Sequence, residues 1–155
     1  MRPESQSLIT QDAIKMVGME TDWGAPFRVE FGITRKFVQA VYGIEGDRAN
    51  REPIPESAHS KVAVPYSILL CNMPSGSELD FDIPLRTSSR VRGKDEIEIF
   101  QPIHIGDVIK AKTRILDISE KEGRSGRMVF ILTETEYVNQ QQAIVMTSRT
   151  TVIKR

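Results

Sequence analysis

Cysteine is almost absent: Cys71 stands alone among 155 residues, so no disulfide can close within the chain. That fits a reducing compartment without requiring one. Histidine is nearly as scarce. His59 and His104 are the only two, far apart in sequence, and with one cysteine they offer no metal-ligand spacing. No metal site is expected. Neither sign of charge is in excess, since 21 Lys plus Arg balance 21 Asp plus Glu. A nucleic-acid binder shows a basic surplus or a basic stripe, so no nucleic-acid partner is expected. Zero formal net charge also leaves little self-repulsion to oppose association with other subunits. No apolar run approaches the roughly 18 residues that span a bilayer. The opening MRPESQSLIT has no apolar core of a signal peptide. The expected address is cytoplasmic, with no membrane span.

What is present is the composition of a folded domain, 39% hydrophobic and 27% charged, at a length that supports one core. No internal repeat or low-complexity linker divides it. Residues 1–9 read as a loose arm and 10–155 as a single domain. Thr10 is a candidate cap for a short helix carrying Ala13, Ile14 and Val17 and ending at Gly18. Phe27 to Phe31 alternates apolar and polar, the pattern of a short strand. Beyond Gly32, Thr34 is the candidate N-cap of a helix whose Phe37, Val38, Val41 and Tyr42 form one stripe, stopped by Gly43 and Gly46. Residues 47–66 hold three prolines and are read as a long loop, a place where function often sits. Pro65 opens a second short helix through Ser67 and Cys71. Cys71, inside the apolar run from Ile68, reads as a small buried hydrophobe. Residues 77–87 are irregular or a short edge strand.

From about residue 90 the period changes to two. Ile97, Ile99 and Ile103 oppose Glu96 and Glu98; Ile109, Ala111, Thr113 and Ile115 oppose Lys110, Lys112 and Arg114. Val129, Ile131, Thr133 and Tyr137 form the inward set of the next run, and Ala143, Val145, Thr147 and Thr151 that of the last. The breaks at 104–107, 119–126 and 139–142 are too short for crossover helices, so the strands run antiparallel. The fold class expected is α+β: one main helix wrapped by a long-stranded, curved antiparallel sheet.

Four stretches, in order, carry a resemblance. They are Phe37–Val41 leading to Gly46-Asp47, Val64-Pro65 opening a short helix, EIEIFQPIHIGD over 96–107, and 121–139 ending Thr135-Glu136-Tyr137-Val138-Asn139. The sequence resembles the MaoC-like dehydratases, in particular their FAS1-like, N-terminal-type domain, which implies a hotdog fold. The turn from Pro102 to Gly106-Asp107 is its best single marker. The resemblance implies hydration of enoyl-thioesters or dehydration of (3R)-hydroxyacyl-thioesters on CoA or acyl carrier protein, with no cofactor beyond that thioester. It also implies a hotdog partner subunit, of the same or a different chain.

The active form of the family carries Gly-Asp-x-Asn-Pro-x-His after the main helix. Removing an α-proton while a β-hydroxyl leaves needs one group as base and another as acid, and an N–H at a helix start steadies the thioester oxygen. Here the loop reads Gly46-Asp47-Arg48-Ala49-Asn50-Arg51-Glu52-Pro53. Asp47 matches the aspartate, and Asn50 the asparagine after a one-residue insertion; the histidine is missing. His59, further along the loop, is either a replacement acid/base or an ordinary loop histidine. Asp47 either works in catalysis or caps the loop by accepting backbone N–H bonds. Val64, Pro65 and Tyr66 are placed on the wall of the acyl pocket. Lys121, Arg124 and Arg127 either touch a CoA phosphate or line a solvated hairpin. The resemblance implies the half that shapes the acyl pocket while a partner supplies the Asp/His dyad. The alternatives are a self-sufficient homodimer (hydratase or thioesterase) using Asp47 or His59, and a non-catalytic acyl-CoA-binding module.

Overall fold

The computed structural model describes residues 6–42, 63–73, 81–124 and 126–155. Asp47, Asn50 and His59 lie outside the described residues. Thr10 begins the first helix as expected, its hydroxyl accepting from the Ala13 amide at 3.1 Å. The elements that follow are α1 (Gln11–Lys15), β1 (Phe27–Arg28), α2 (Phe31–Tyr42), β2 (Ala63–Val64), α3 (Ser67–Asn72) and β3 (Arg90–Ile99). Then come β4 (Ile103–His104), β5 (Val108–Gly123), β6 (Gly126–Val138) and β7 (Ile144–Lys154).

Five strands form one antiparallel sheet in the order β1-β5-β6-β7-β3, and β2 pairs with β4 apart from it. The alternation of β5 and β6 does what the sequence asks. Ile109, Ala111, Thr113 and Ile115 are buried, as are Val129, Ile131, Thr133 and Tyr137. Register shifts after Ile115 in β5, after Arg92 in β3 and at Tyr137 in β6 bend the strands, and bulges of this kind curl a sheet. The covered face carries two apolar clusters. One gathers α3, the β2–β4 pair and the near halves of the long strands, with Phe31, Ile33 and Phe37 of α2 packed on it. The other joins Ala13 of α1, Phe81 and Ile83 to Ile115, Val129 and Ile131. Between them runs a belt of buried hydroxyls, in which Thr113 and Thr135 meet at 3.0 Å across the strands.

Several expectations change. Helix α2 starts a turn earlier than Thr34; that hydroxyl donates back to the Glu30 carbonyl at 2.8 Å from inside the helix. Phe31 is therefore helical and the strand before it is only Phe27–Arg28. Gly32 is no breaker there, because first-turn amides lack intrahelical partners anyway. Residues 119–123 are strand rather than connection: Gly123 pairs with Gly126, and Gly126 takes φ of 109°. The inward set of β7 is Val145, Met146, Ser148, Thr150 and Val152. Thr147 and Thr151 face outward, since Val145 and Met146 are both buried and slip the period by one. Ile103 leaves the β3 set for β4, and Ile97 and Ile99 of β3 are exposed. Cys71 is exposed on α3, while Ile68 and Leu69 are the buried side of that helix. Residues 7–9 of the arm are tied down: the Glu120 carboxylate accepts from the Ser7 hydroxyl at 2.7 Å and the Leu8 amide at 2.9 Å, and Ile9 bridges Leu85.

Candidate functional site

In sequence Gly46–Pro53 follows α2, and α2 rests on common ground in the core. Three elements share that ground: α2 through Phe31, Ile33 and Phe37, α3 through Ile68 and Leu69, and the β4–β5 turn through Ile103 and Ile105. Val64, Pro65 and Tyr66 lie at the junction. Val64 pairs with Ile103 across the small sheet and its side chain is buried in the shared cluster. Pro65 is half-buried, and Tyr66 is 40% exposed. Tyr66 already has helical angles and makes no side-chain cap; the Ile68 amide reaches the Pro65 carbonyl at 3.1 Å. The three residues thus grade from core to surface within one step of the chain.

The β4–β5 turn is held by groups that the sequence reading did not assign. Asp107 Oδ2 accepts from the His104 amide at 2.8 Å, and its Oδ1 accepts from Gln140 Nε2 at 3.0 Å. Gln140 Oε1 in turn accepts from the Val108 amide at 3.0 Å. Gly106 sits at φ 98°, in the left-handed region where glycine carries no Cβ penalty. Its amide donates to the Val29 carbonyl, and the Val29 amide to the Asp107 carbonyl, each at 2.8 Å. Val29 lies two residues before α2, so this turn fixes how the main helix leaves the sheet. His104 Nδ1 stands 3.9 Å from Asp107 Oδ2, too far for a hydrogen bond. Both Asp107 oxygens are engaged in holding the turn, which is a structural role.

Charge on the outer face is arranged across strands. Glu134 of β6 accepts from Arg149 of β7 at 2.7 Å and from Arg114 of β5 at 3.0 Å. Burial alone would raise its pKa, but the bonds and charges of Arg149 and Arg114 together hold the carboxyl below its ordinary value. On β3, Arg92 grips Asp95 with two bonds of 2.8 Å, and Asp95 also accepts from Thr150. The Arg92 bond, chiefly, keeps Asp95 below its usual carboxylate range. In the hairpin, Arg127 reaches Glu120 at 3.2 Å and Lys121 lies 5.0 Å over the Phe130 ring, so both are engaged within the chain. Among the described residues no cluster of three or more His, Cys, Asp or Glu could hold a metal, and no helix is long and apolar enough to cross a membrane.

Strand β3 differs from every other long strand. All ten of its residues are exposed, on both faces, and among the described residues no strand pairs with its second edge. Ile97 and Ile99 are 37% and 49% exposed on the same side as the covered face of β7. An open hydrogen-bonding edge with apolar side chains is a pairing surface.

Solved structures of the same fold align over nearly the whole chain. A (3R)-hydroxyacyl-ACP dehydratase, the C-terminally truncated HadBC complex of Mycobacterium tuberculosis, matches at TM-score 0.63 and 21% identity, over 89% of this chain and 96% of that one. The ChsH1–ChsH2 complex of the same organism matches at TM-score 0.64 and 13% identity, over 93% and 94%. A MaoC-like dehydratase matches at TM-score 0.68 and 17% identity, over 92% of this chain but only 43% of that one. These likenesses give the curled hotdog sheet. No curated protein sequence matches the chain. The profile of the FAS1-like dehydratase domain region matches residues 15–148, and the chain belongs to that MaoC-like family.

Proposed function

We propose that this chain is one half of a two-half hydro-lyase acting on enoyl- and (3R)-3-hydroxyacyl-thioesters. It shapes the acyl pocket while a partner hotdog subunit supplies the Asp/His dyad. The observation that carries this reading is the family match over residues 15–148 in a chain whose loop keeps Asp47 and Asn50 but has no histidine before Pro53. Three facts support the need for a second half. Among the described residues no strand pairs with the second edge of β3, the chain aligns with 43% of one MaoC-like dehydratase, and two other structures of this fold are complexes, HadBC and ChsH1–ChsH2.

The reaction is redox-neutral. In hydration, water adds its oxygen to the β-carbon, a base takes the proton that water loses, and an acid returns one to the α-carbon. The proposal therefore invokes no cofactor beyond the CoA or carrier-protein thioester. Acid/base groups of this kind contribute ~10²–10⁴-fold, so a half without the imidazole is left with little of the rate. Val64, Pro65 and Tyr66 serve as pocket wall, and substitutions at Val64 or Tyr66 change which acyl chains are accepted.

The test is hydration of crotonyl-CoA followed at the enoyl-thioester absorbance. The purified chain alone turns over near background, and activity appears on mixing with a hotdog half that carries the full Gly-Asp-x-Asn-Pro-x-His loop. In that mixture Asp47→Asn reduces the rate only modestly. Robust turnover by the chain alone, abolished by Asp47→Asn or His59→Ala, refutes the partner-supplied dyad and establishes a self-sufficient enzyme.

A further inference from the structure

The outer face of the sheet is divided. Toward one end it carries charge, with Arg114, Glu134 and Arg149 in register across β5, β6 and β7. Toward the β5–β6 turn it is apolar. Met128, Phe130 and Leu132 alternate with the buried Val129 and Ile131, so they stand on this outer face, and Ile153 joins them by its alternation with the buried Val152. Phe130 of β6, Ile153 of β7 and Val91 of β3 are direct neighbours in one row. Val91 is 51% exposed, and Met128, Phe130, Leu132 and Ile153 are half-buried. Val91, Met128 and Ile153 line a shallow groove of about 190 Å³ that Arg155 closes. A contiguous apolar patch on a solvent face marks an interaction site, whereas single scattered apolar residues do not.

Cations frame this patch at its hairpin end. Lys121, opposite Met128 on β5, is exposed with its Nζ 5.0 Å over the Phe130 ring, and Arg155 is exposed on the other side of the groove. Arg124 is exposed in the turn. Asp117, opposite Leu132, is an exposed acid at the far end. We propose that the face docks an acidic amphipathic helix of another protein. Its apolar stripe lies on Met128, Phe130, Leu132, Ile153 and Val91, and its carboxylates meet Lys121 and Arg155. The footprint suits a helix. Three strands ~4.8 Å apart make the row about 10 Å wide, and Met128 to Leu132 runs about 13 Å along β6; a helix is about 10–12 Å across and two of its turns rise about 11 Å. A lipid surface fits less well, because polybasic membrane sites gather roughly 4–8 Lys or Arg and this patch has Asp117 at one end. Strand addition at the β3 edge extends the sheet in its own plane and leaves this face free, so the inference does not rest on the two-half reading.

The experiment is fluorescence anisotropy of labelled synthetic peptides titrated with the full chain. Variants are confined to exposed side chains, and far-UV circular dichroism checks that each folds. The acidic probe is an amphipathic peptide of about four helical turns, with leucine along one stripe and glutamate beside it. A second probe replaces the glutamates by lysine, and a third scrambles the acidic sequence. The acidic probe binds, and the other two bind roughly tenfold more weakly or not at all. Lys121→Glu with Arg155→Glu lowers affinity for the acidic probe roughly tenfold and turns the preference toward the basic one. Val91→Asp weakens binding by setting a carboxylate at the groove. Lys110→Glu, on the charged half of the face, leaves binding unchanged. No binding of the acidic probe overturns the proposal, as do equal binding of acidic and basic probes and an affinity indifferent to the Lys121, Arg155 and Val91 changes. Co-sedimentation with phosphatidylglycerol vesicles that the same variants abolish, without peptide binding, assigns the face to lipid and overturns it as well.

Discussion

Replacing Asp107 by Ala tests whether the β4–β5 turn is what seats the main helix. The carboxylate accepts the partly buried His104 amide at 2.8 Å and the Gln140 side chain at 3.0 Å. A hydrogen bond to a charged group is worth about 1.5–3 kcal/mol, and a neutral or solvated one about 0.5–1.5 kcal/mol. The Asp107 side chain is 17% exposed, so water recovers part of the loss when the carboxylate is removed. The net cost works out at about 2 kcal/mol, a large share of the roughly 5–15 kcal/mol that holds a domain folded. With a urea slope of about 2 kcal/mol/M, the unfolding midpoint falls by about 1 M. Asp107→Asn keeps an acceptor for the His104 amide but turns an N–H donor toward Gln140, or forces that amide to flip away from the Val108 N–H. Its cost is about half as large. The assay is urea unfolding followed by far-UV circular dichroism, with the slope compared between variants. If Asp107→Ala shifts the midpoint by less than about 0.2 M at unchanged slope, the turn is not holding α2 and the argument fails.

Two further outcomes follow from the same geometry. Glu134 has its folded pKa depressed below the ordinary 4.5 by Arg149 and Arg114 acting against its burial, so its stabilisation is full above that value and lost as pH falls through the lower folded one. Melting temperatures across the acid range should therefore fall less steeply for Glu134→Gln than for wild type, from a lower neutral-pH plateau; parallel curves would contradict the cross-strand role. At Gly106, φ of 98° leaves room for a Cβ with nothing within 4 Å, so Gly106→Ala pays only the left-handed backbone cost of about 1–2 kcal/mol. Calorimetry showing no loss of stability would mean that the turn relaxes to another conformation.

The sequence by itself determined the order of elements and the family. Alternation in β5 is plain because Ile109, Ala111, Thr113 and Ile115 are separated by Lys110, Lys112 and Arg114. The departure at the site was equally readable, since a histidine absent from the Gly46–Pro53 loop is absent in any fold. Tertiary structure decided the rest, wherever local chemistry is neutral between two outcomes. Threonine suits either face of a sheet, so only the slip at Val145–Met146 settled that Ser148 and Thr150 point inward and Thr147 and Thr151 outward. Serine, glutamate and glycine over 119–123 look like a turn, yet thirteen pairings between β5 and β6 draw them into strand, because ladder hydrogen bonds formed in register outweigh weak intrinsic preference. Cys71 sits in an apolar run but on the outward side of a helix of six residues, a position set by which side meets the sheet. The same holds for β3: its alternation promised a buried face, and only the order of strands leaves it, among the described residues, at an edge with both faces exposed.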